Sequence, residues 1–182
     1  MSRYRRANTD GATYFFMVVT YRRRHFLCDD DVRLALHEAI TKVRAQHPFV
    51  INAWVLLPDH LHAIWTLPPN HANFSLRWQQ IKRSVTQSCG ARLHNPVWMT
   101  DSKIKHREST LWQRRYWEHQ IRDDVDYARH MDYLHYNPVK HGLVKQAGDW
   151  PYSSFNRYVN SGVYGENWAM PLLSDDGEFG DV

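Results

Sequence analysis

Ten residues, Leu56-Leu57-Pro58-Asp59-His60-Leu61-His62-Ala63-Ile64-Trp65, constrain this chain more than any others. A Pro-Asp pair splits an apolar run, and so short a break joins two strands only as an antiparallel hairpin. Beyond the turn the strand must alternate its faces. His60 and His62 then project together, while Leu61 and Ala63 point the other way. Two neutral imidazoles on one face make half of a divalent metal site. The competing reading is a pair of satisfied core histidines.

The neighbouring segments supply the rest of a sheet. Residues 13–21 are aromatic and β-branched and read as a buried strand that runs into Arg22-Arg23-Arg24. A helix is expected over 31–46, capped by an aspartate at 29, 30 or 31, with Val32, Leu36, Ala39, Ile40 and Val43 as its apolar stripe. Strands follow at 49–57 and 60–67. A second helix over 74–92 repeats Phe74, Trp78, Ile81, Val85 and Cys89 at helical spacing. Residues 94–110 lack periodicity and read as a mobile basic loop, and 111–117 as a fourth strand. Strand, helix, strand, strand, helix, strand is the order of an α+β, ferredoxin-like βαββαβ sandwich. Its two helices cover one face of an antiparallel sheet, and the other face is left to the remaining chain or to function.

A length of 182 residues fits one domain. The expected body is 1–145, with 146–182 as a C-terminal extension whose residues 160–182 are either a cover for a site or an acidic disordered tail. Cys28 and Cys89 are too few for a disulfide framework or a cysteine zinc site. No run is long enough to span a membrane and the start has no signal-peptide core, so the expected location is the cytoplasm. The formal charge of +4 hides an asymmetry: arginines crowd the first two dozen residues, and Asp175, Asp176, Glu178 and Asp181 lie in the tail. A basic body permits nucleic acid binding without demonstrating it.

A third helix is expected over 124–136, capped by Asp123 or Asp124 and stopped by Asn137-Pro138. Tyr127, Ala128, Met131, Leu134 and His135 share its packing flank. Asp126, Arg129, His130, Tyr133 and Asn137 fall opposite and are expected to face outward. Tyr133 and Asn137, four residues apart, then lie together as a phenol beside a carboxamide. Taken alone, such a tyrosine is more often a partly buried packing residue.

These blocks together resemble a known family. His60-Leu61-His62 is similar to the histidine–hydrophobe–histidine signature of HUH endonucleases. Asp132-Tyr133-Leu134-His135-Tyr136-Asn137-Pro138-Val139-Lys140-His141-Gly142 resembles the nucleophile helix of single-tyrosine HUH transposases, most closely the REP-associated tyrosine transposases. Residues 51–58, 112–119 and 149–155 resemble that branch too. The resemblance implies the ferredoxin-like fold, Tyr133 as nucleophile, and Mg²⁺ or Mn²⁺ held by His60, His62 and Asn137. His119 and Gln120 are alternative ligands, and Tyr116, four residues before Gln120, is a rival nucleophile. A free phenol has a pKa near 10, so the tyrosine needs help to deprotonate.

The activity implied is metal-dependent cleavage and joining of single-stranded DNA at REP-type palindromic hairpins through a 5′-phosphotyrosine. DNA-binding candidates are Arg5, Arg6, Arg22, Arg23, Arg24, Arg83, Lys103, Lys105, Lys140 and His141, while Trp150 and Tyr152 read as packing residues. The branch is typically monomeric, although insertion-sequence relatives form dimers, and a bacterial, nucleoid-associated location follows. The alternatives are a hairpin-binding protein that has lost catalysis and a replication-initiator-like nickase, the latter disfavoured by the short chain.

Overall fold

The computed structural model describes residues 10–165, 167 and 168. Arg5, Arg6 and the acidic tail lie outside the described residues. Four antiparallel strands form one sheet in the order β2-β3-β1-β4: β1 (Thr13–Val19), β2 (Val50–Leu56), β3 (His60–Thr66) and β4 (Trp117–Gln120). With α1 (Asp30–Gln46) and α2 (Phe74–Leu93) as crossovers, this is the ferredoxin-like arrangement expected from element order.

The alternation of β1 and β3 divides the molecule into two cores. Tyr14, Phe16, Val18, Leu61, Ala63 and Trp65 face α1 and α2, where Trp65 stacks on Trp78 with ring centroids 4.1 Å apart. The stripes of both helices pack as expected, with Val32, Leu36, Ala39 and Val43 buried on α1 and Phe74, Trp78, Ile81, Val85 and Cys89 on α2. Asn73 caps α2 by accepting a hydrogen bond from the Leu76 amide at 2.9 Å. Phe15, Val55 and Ile64 face the other way, onto α4 (Asp124–Lys140) through Met131, Tyr133 and Leu134. Residues 152–154 close the outer edge of β2, with Leu56 N–H donating to Tyr152 and Ser154 N–H to Trp54.

Three local expectations are corrected. The fourth strand lies at 117–120, not 111–117. The chain bridges β1 at Trp112↔Thr20 and again at Trp117↔Met17, so four residues on this side span two on β1. That two-residue excess is a bulge, which a hydrophobicity pattern cannot reveal. The basic loop is not structureless: it holds a 3₁₀ turn at Pro96–Trp98 and the short helix α3 (Asp101–Lys105), which Thr100 caps. Finally, α4 runs past Asn137-Pro138 to Lys140. Proline removes its own donor and crowds the carbonyl of Leu134, but so close to the C-terminal end the helix tolerates Pro138 and ends two residues later. Gly142, at φ 67°, closes it, with Gly142 N–H donating to Val139 and Leu143 N–H to Pro138.

Candidate active site

Register places the two histidines where alternation put them. His60 pairs with Val19 and His62 with Met17, so both project onto the α4 side of the sheet. Their ring centroids are 5.0 Å apart. On α4 the expectation of an outward-facing flank is overturned: Asp126, His130, Tyr133 and Asn137 are all buried. The helix lies on the sheet with this flank inward as well as its apolar one, because the sheet face beneath it carries histidines as well as hydrophobes. Tyr133 therefore meets His62 edge-to-face at 5.5 Å between ring centroids and Phe15 at 6.2 Å.

The polar atoms tell most about this cluster. Asn137 Nδ2 donates to the Tyr133 carbonyl at 3.3 Å, which turns Oδ1 away from the helix. The carboxamide lies close enough to His62 to act on its protonation. Yet His60 Nε2, both His62 nitrogens and Asn137 Oδ1 are buried with no hydrogen bond of good geometry. Buried polar atoms are nearly always paired, so four such atoms on three neighbouring side chains mark a place for a guest. Two imidazoles and a carboxamide oxygen are a donor set suited to a divalent cation. Burial, with His60 and His141 beside it, holds the His62 imidazole well below its ordinary pKa, in the neutral form that a ligand needs.

Asp59 orients the first histidine. Its Oδ1 meets His60 Nδ1 at 2.7 Å, and Arg23 Nη1 donates to Oδ2 at 3.2 Å. Burial alone would raise the carboxyl pKa, but these partners lower it to about 2. A carboxylate on Nδ1 leaves Nε2 as the nitrogen that could bind a cation, the arrangement common around metal-bound imidazoles. As a residue of the hairpin turn, Asp59 carried no functional signal in the sequence beyond its place next to His60.

The remaining candidates separate cleanly. Gln120 pairs with Tyr14 in register, on the α1–α2 side of the sheet, and is withdrawn as a ligand. Tyr116 packs on the same side against Phe16, Phe74 and Trp78, its hydroxyl 3.0 Å from Ser75 Oγ, and is withdrawn as nucleophile. His119 does face the α4 side but joins a different cluster. Its Nε2 lies 2.8 Å from Asp126 Oδ2, and its ring stacks on His130 at 4.4 Å. Phe15 stands between this cluster and Tyr133, 4.9 Å from the His130 ring.

Arg122 also grips Asp126, through its backbone N–H at 2.9 Å and Nε at 3.1 Å. The cluster is thus an internal ion-pair knot that ties the start of α4 to β4. Burial would raise the Asp126 pKa, but Arg122 and His119 hold it well below the usual carboxylate range. Because the folded value is depressed, its stabilisation is present above the unfolded value near 4 and lost as pH falls below it. Asp126→Asn is expected to remove about 1–2 kcal/mol, with much of Arg122 in solvent. Thermal melts between pH 5 and pH 3 check this: the wild type loses more stability on acidification than the variant, and equal losses would refute the assignment.

Among the DNA-binding candidates, Lys103 is buried, paired with Glu108 at 3.6 Å and seated over the Tyr21 ring at 4.0 Å. Arg24 donates to the Leu93 carbonyl at 2.7 Å. Both are thereby tied to internal partners. Arg83 is exposed on α2, across the sheet from the histidines. Arg22 is exposed over Trp98 at 5.0 Å, and Lys105 is exposed on α3. His141 lies against His60 at 5.1 Å between centroids, and Lys140 Nζ donates to the Tyr133 hydroxyl at 3.4 Å. These last two belong to the cluster formed by the histidines and Tyr133.

A family model described as IS200-like transposase matches residues 8–137. A REP-associated tyrosine transposase of Escherichia coli K12 is 45% identical over 93% of this chain and 92% of its own. The chain belongs to the REP-associated tyrosine transposases. Members of this branch are metal-dependent HUH enzymes that cleave and join DNA. A relative in Haemophilus influenzae, named a putative REP-associated tyrosine transposase, is 41% identical over 93% of the chain and 94% of its own. A solved structure described as a REP-associated tyrosine transposase bound to a REP hairpin superposes with a TM-score of 0.80 at 43% identity, covering 97% of this chain and 96% of the other. No helix among the described residues is long and apolar enough to cross a membrane.

Proposed function

We propose that this transposase cleaves and rejoins single-stranded DNA beside a palindromic hairpin, with Tyr133 as nucleophile and His60, His62 and Asn137 as ligands of Mg²⁺ or Mn²⁺. The observation that carries the reading is the set of unpartnered donor atoms on those three residues, adjacent to a buried tyrosine. When bound, the cation polarises the scissile phosphate and neutralises charge on its non-bridging oxygens. The hairpin is the natural substrate class because a relative 43% identical is described with a REP hairpin bound.

Tyr133 Oη attacks phosphorus, the new O–P bond forms as the bond to O3′ breaks, and a 5′-phosphotyrosine and free 3′-OH remain. The phosphoester stays activated, so another 3′-OH reverses the step and joins strands. Lys140 fits the role of steadying the phenolate. It lies seven residues after Tyr133 on one helix face, its Nζ 3.4 Å from the hydroxyl. This contact exists because α4 continues past Pro138. Lys140→Met is expected to slow cleavage by about 10- to 100-fold while leaving hairpin affinity within about threefold. Single-turnover rates and a binding titration check the split, and equal loss in both would make Lys140 only a DNA contact.

Histidines, carboxamide and tyrosine all come from one chain, which supports action as a monomer. The reading as a whole is tested by incubating labelled single-stranded hairpins with the protein and Mg²⁺ or Mn²⁺. A covalent protein–DNA adduct is expected. Tight hairpin binding without any adduct in either metal would favour the alternative of a non-catalytic binding protein.

A further inference from the structure

The chain beyond α4 carries a run of buried hydrogen bonds that neither the proposed cation site nor the tyrosine uses. Residues 147–149 form a 3₁₀ turn and α5 spans Phe155–Asn160. Ala147, Phe155 and Tyr164 pack with Val139, Tyr158 and Trp168 into a small core beside α4. His135 enters this core from α4, its ring 5.3 Å from that of Tyr164, and is fully buried. Its Nδ1 lies 3.2 Å from Tyr164 Oη and its Nε2 2.9 Å from Ser154 Oγ. Tyr164 Oη donates to Asp132 Oδ1 at 2.8 Å, and Ser154 Oγ accepts from the Trp54 N–H at 2.9 Å.

These partners leave one arrangement of protons. Tyr164 gives its only proton to Asp132, so toward His135 it accepts, and Nδ1 carries the imidazole proton. Nε2 then accepts from Ser154, whose other acceptor, the Trp54 carbonyl at 3.1 Å, already takes the Ser154 N–H at 2.8 Å. Burial, with Arg157 nearby, holds the His135 pKa down at about 3, so the ring stays neutral. The bonds join α4 to β2 at Trp54, which pairs with Ala63, the residue after His62. Asp132 and His135 bracket Tyr133 in sequence and lie about 100° and about 160° from it round the same side of the helix. Nearer its start, α4 is tied to β4 through Asp126 and His119. Between these two anchors the helix rests on ring contacts with Phe15 and His62, which hold distance better than orientation.

We infer that residues 147–164 clamp the nucleophile helix, and that His135, Ser154 and Tyr164 are positioning residues that fix the rotation of α4 and so set the Tyr133 hydroxyl against the His60–His62 pair. This rests on the proposed role of Tyr133 as nucleophile and adds what holds it in place. A phenol oxygen stands far from its helix axis, so a small rotation of α4 carries it about 1 Å, and a misplacement of that size can slow a reaction about 100-fold. The three residues act through the helix and need no contact with DNA or cation. The described part of the C-terminal extension is thus a support for the tyrosine rather than a cover of the site.

The test uses the full chain with Tyr164→Phe or Ser154→Ala. Each deletes one oxygen, and the ring at position 164 keeps its stacking on Phe155 at 5.2 Å. Single-turnover cleavage of a labelled single-stranded palindromic hairpin in Mn²⁺ should slow about 10- to 100-fold in either variant, with hairpin affinity and the Mn²⁺ requirement within about threefold of wild type. The double variant should be about as slow as the slower single one, because both break the same chain of bonds. Ser154→Thr keeps the hydroxyl and should keep the rate within about threefold. A fluorotyrosine incorporated at position 133 alone gives a readout independent of cleavage. Its fluorine NMR line, taken without DNA or metal and well below each melting point, should be single in the otherwise wild-type chain and shifted or broadened in Tyr164→Phe and Ser154→Ala. Rates within about threefold of wild type in both variants, or slower rates with an unmoved fluorine line, would overturn the inference and leave the catalytic reading intact. A wild type that forms no adduct in either metal would overturn the catalytic reading, whatever the fluorine line shows.

Discussion

Tyr133→Phe ends covalent capture of DNA, lowering cleavage by at least about 10⁴-fold, as expected when a nucleophile is removed. The substitution deletes one oxygen. The ring keeps its edge-to-face packing on His62 and Phe15, so the fold and the DNA surface remain. Lys140 loses its contact with the hydroxyl but is itself exposed, so no charge is stranded in the core. Hairpin affinity should therefore stay within about threefold of wild type, because phosphate and base contacts dominate binding. Denaturing gels with labelled DNA read the adduct, and a filter or anisotropy titration reads binding. An adduct persisting in Tyr133→Phe would remove Tyr133 as nucleophile.

His62→Leu should separate stability from function in opposite directions. Both His62 nitrogens are buried and unpartnered, and a buried polar group left unsatisfied costs about 1–3 kcal/mol. Leucine fills similar volume beside Phe15 and Tyr133 and carries no such penalty. Without added metal the variant is expected to melt roughly 3–8 °C higher than the wild type. With Mn²⁺ at about 100 times its dissociation constant, the wild type should gain about 2.7 kcal/mol and the variant almost nothing. Cleavage should fall by at least about 10³-fold, the scale of a lost electrostatic stabiliser. Calorimetric scans with and without metal check all but the last, which needs the cleavage assay. A variant that melts lower without metal, or still responds to Mn²⁺, would show that His62 is a satisfied structural histidine.

The strands and the two crossover helices were legible because each has one buried face and a strict period. Val32, Leu36, Ala39 and Val43 on α1, and Phe74 through Cys89 on α2, have a single layer to pack on, so periodicity and burial agree. The pattern failed on α4, where Asp126, His130, Tyr133 and Asn137 are polar or amphipathic yet buried. A hydrophobicity stripe assigns such residues to solvent, whereas here they are inward because the sheet beneath offers the histidines His60, His62 and His119. Expected and observed β4 differ for a related reason. The residues of 111–117 alternate well enough for a strand, but a bulge is set by pairing with β1, which is not a local property.

The same division runs through the site. Alternation alone put His60 and His62 on one face, and helical spacing alone put Tyr133 beside Asn137, since both are properties of a single element's backbone geometry. Which histidine nitrogen is left open, and which lysine reaches the phenol, depended on contacts between segments far apart in sequence. Asp59 turns His60 through a side-chain hydrogen bond, and Lys140 reaches Tyr133 only because α4 outlasts Pro138. The sequence by itself determined the fold class, the paired histidines and the tyrosine helix, because local periodicity encodes them. Only the tertiary structure decided that these parts converge, that Gln120 and Tyr116 lie on the wrong side of the sheet, and that the polar flank of α4 is buried. Those are consequences of strand register and helix docking, which arise between elements.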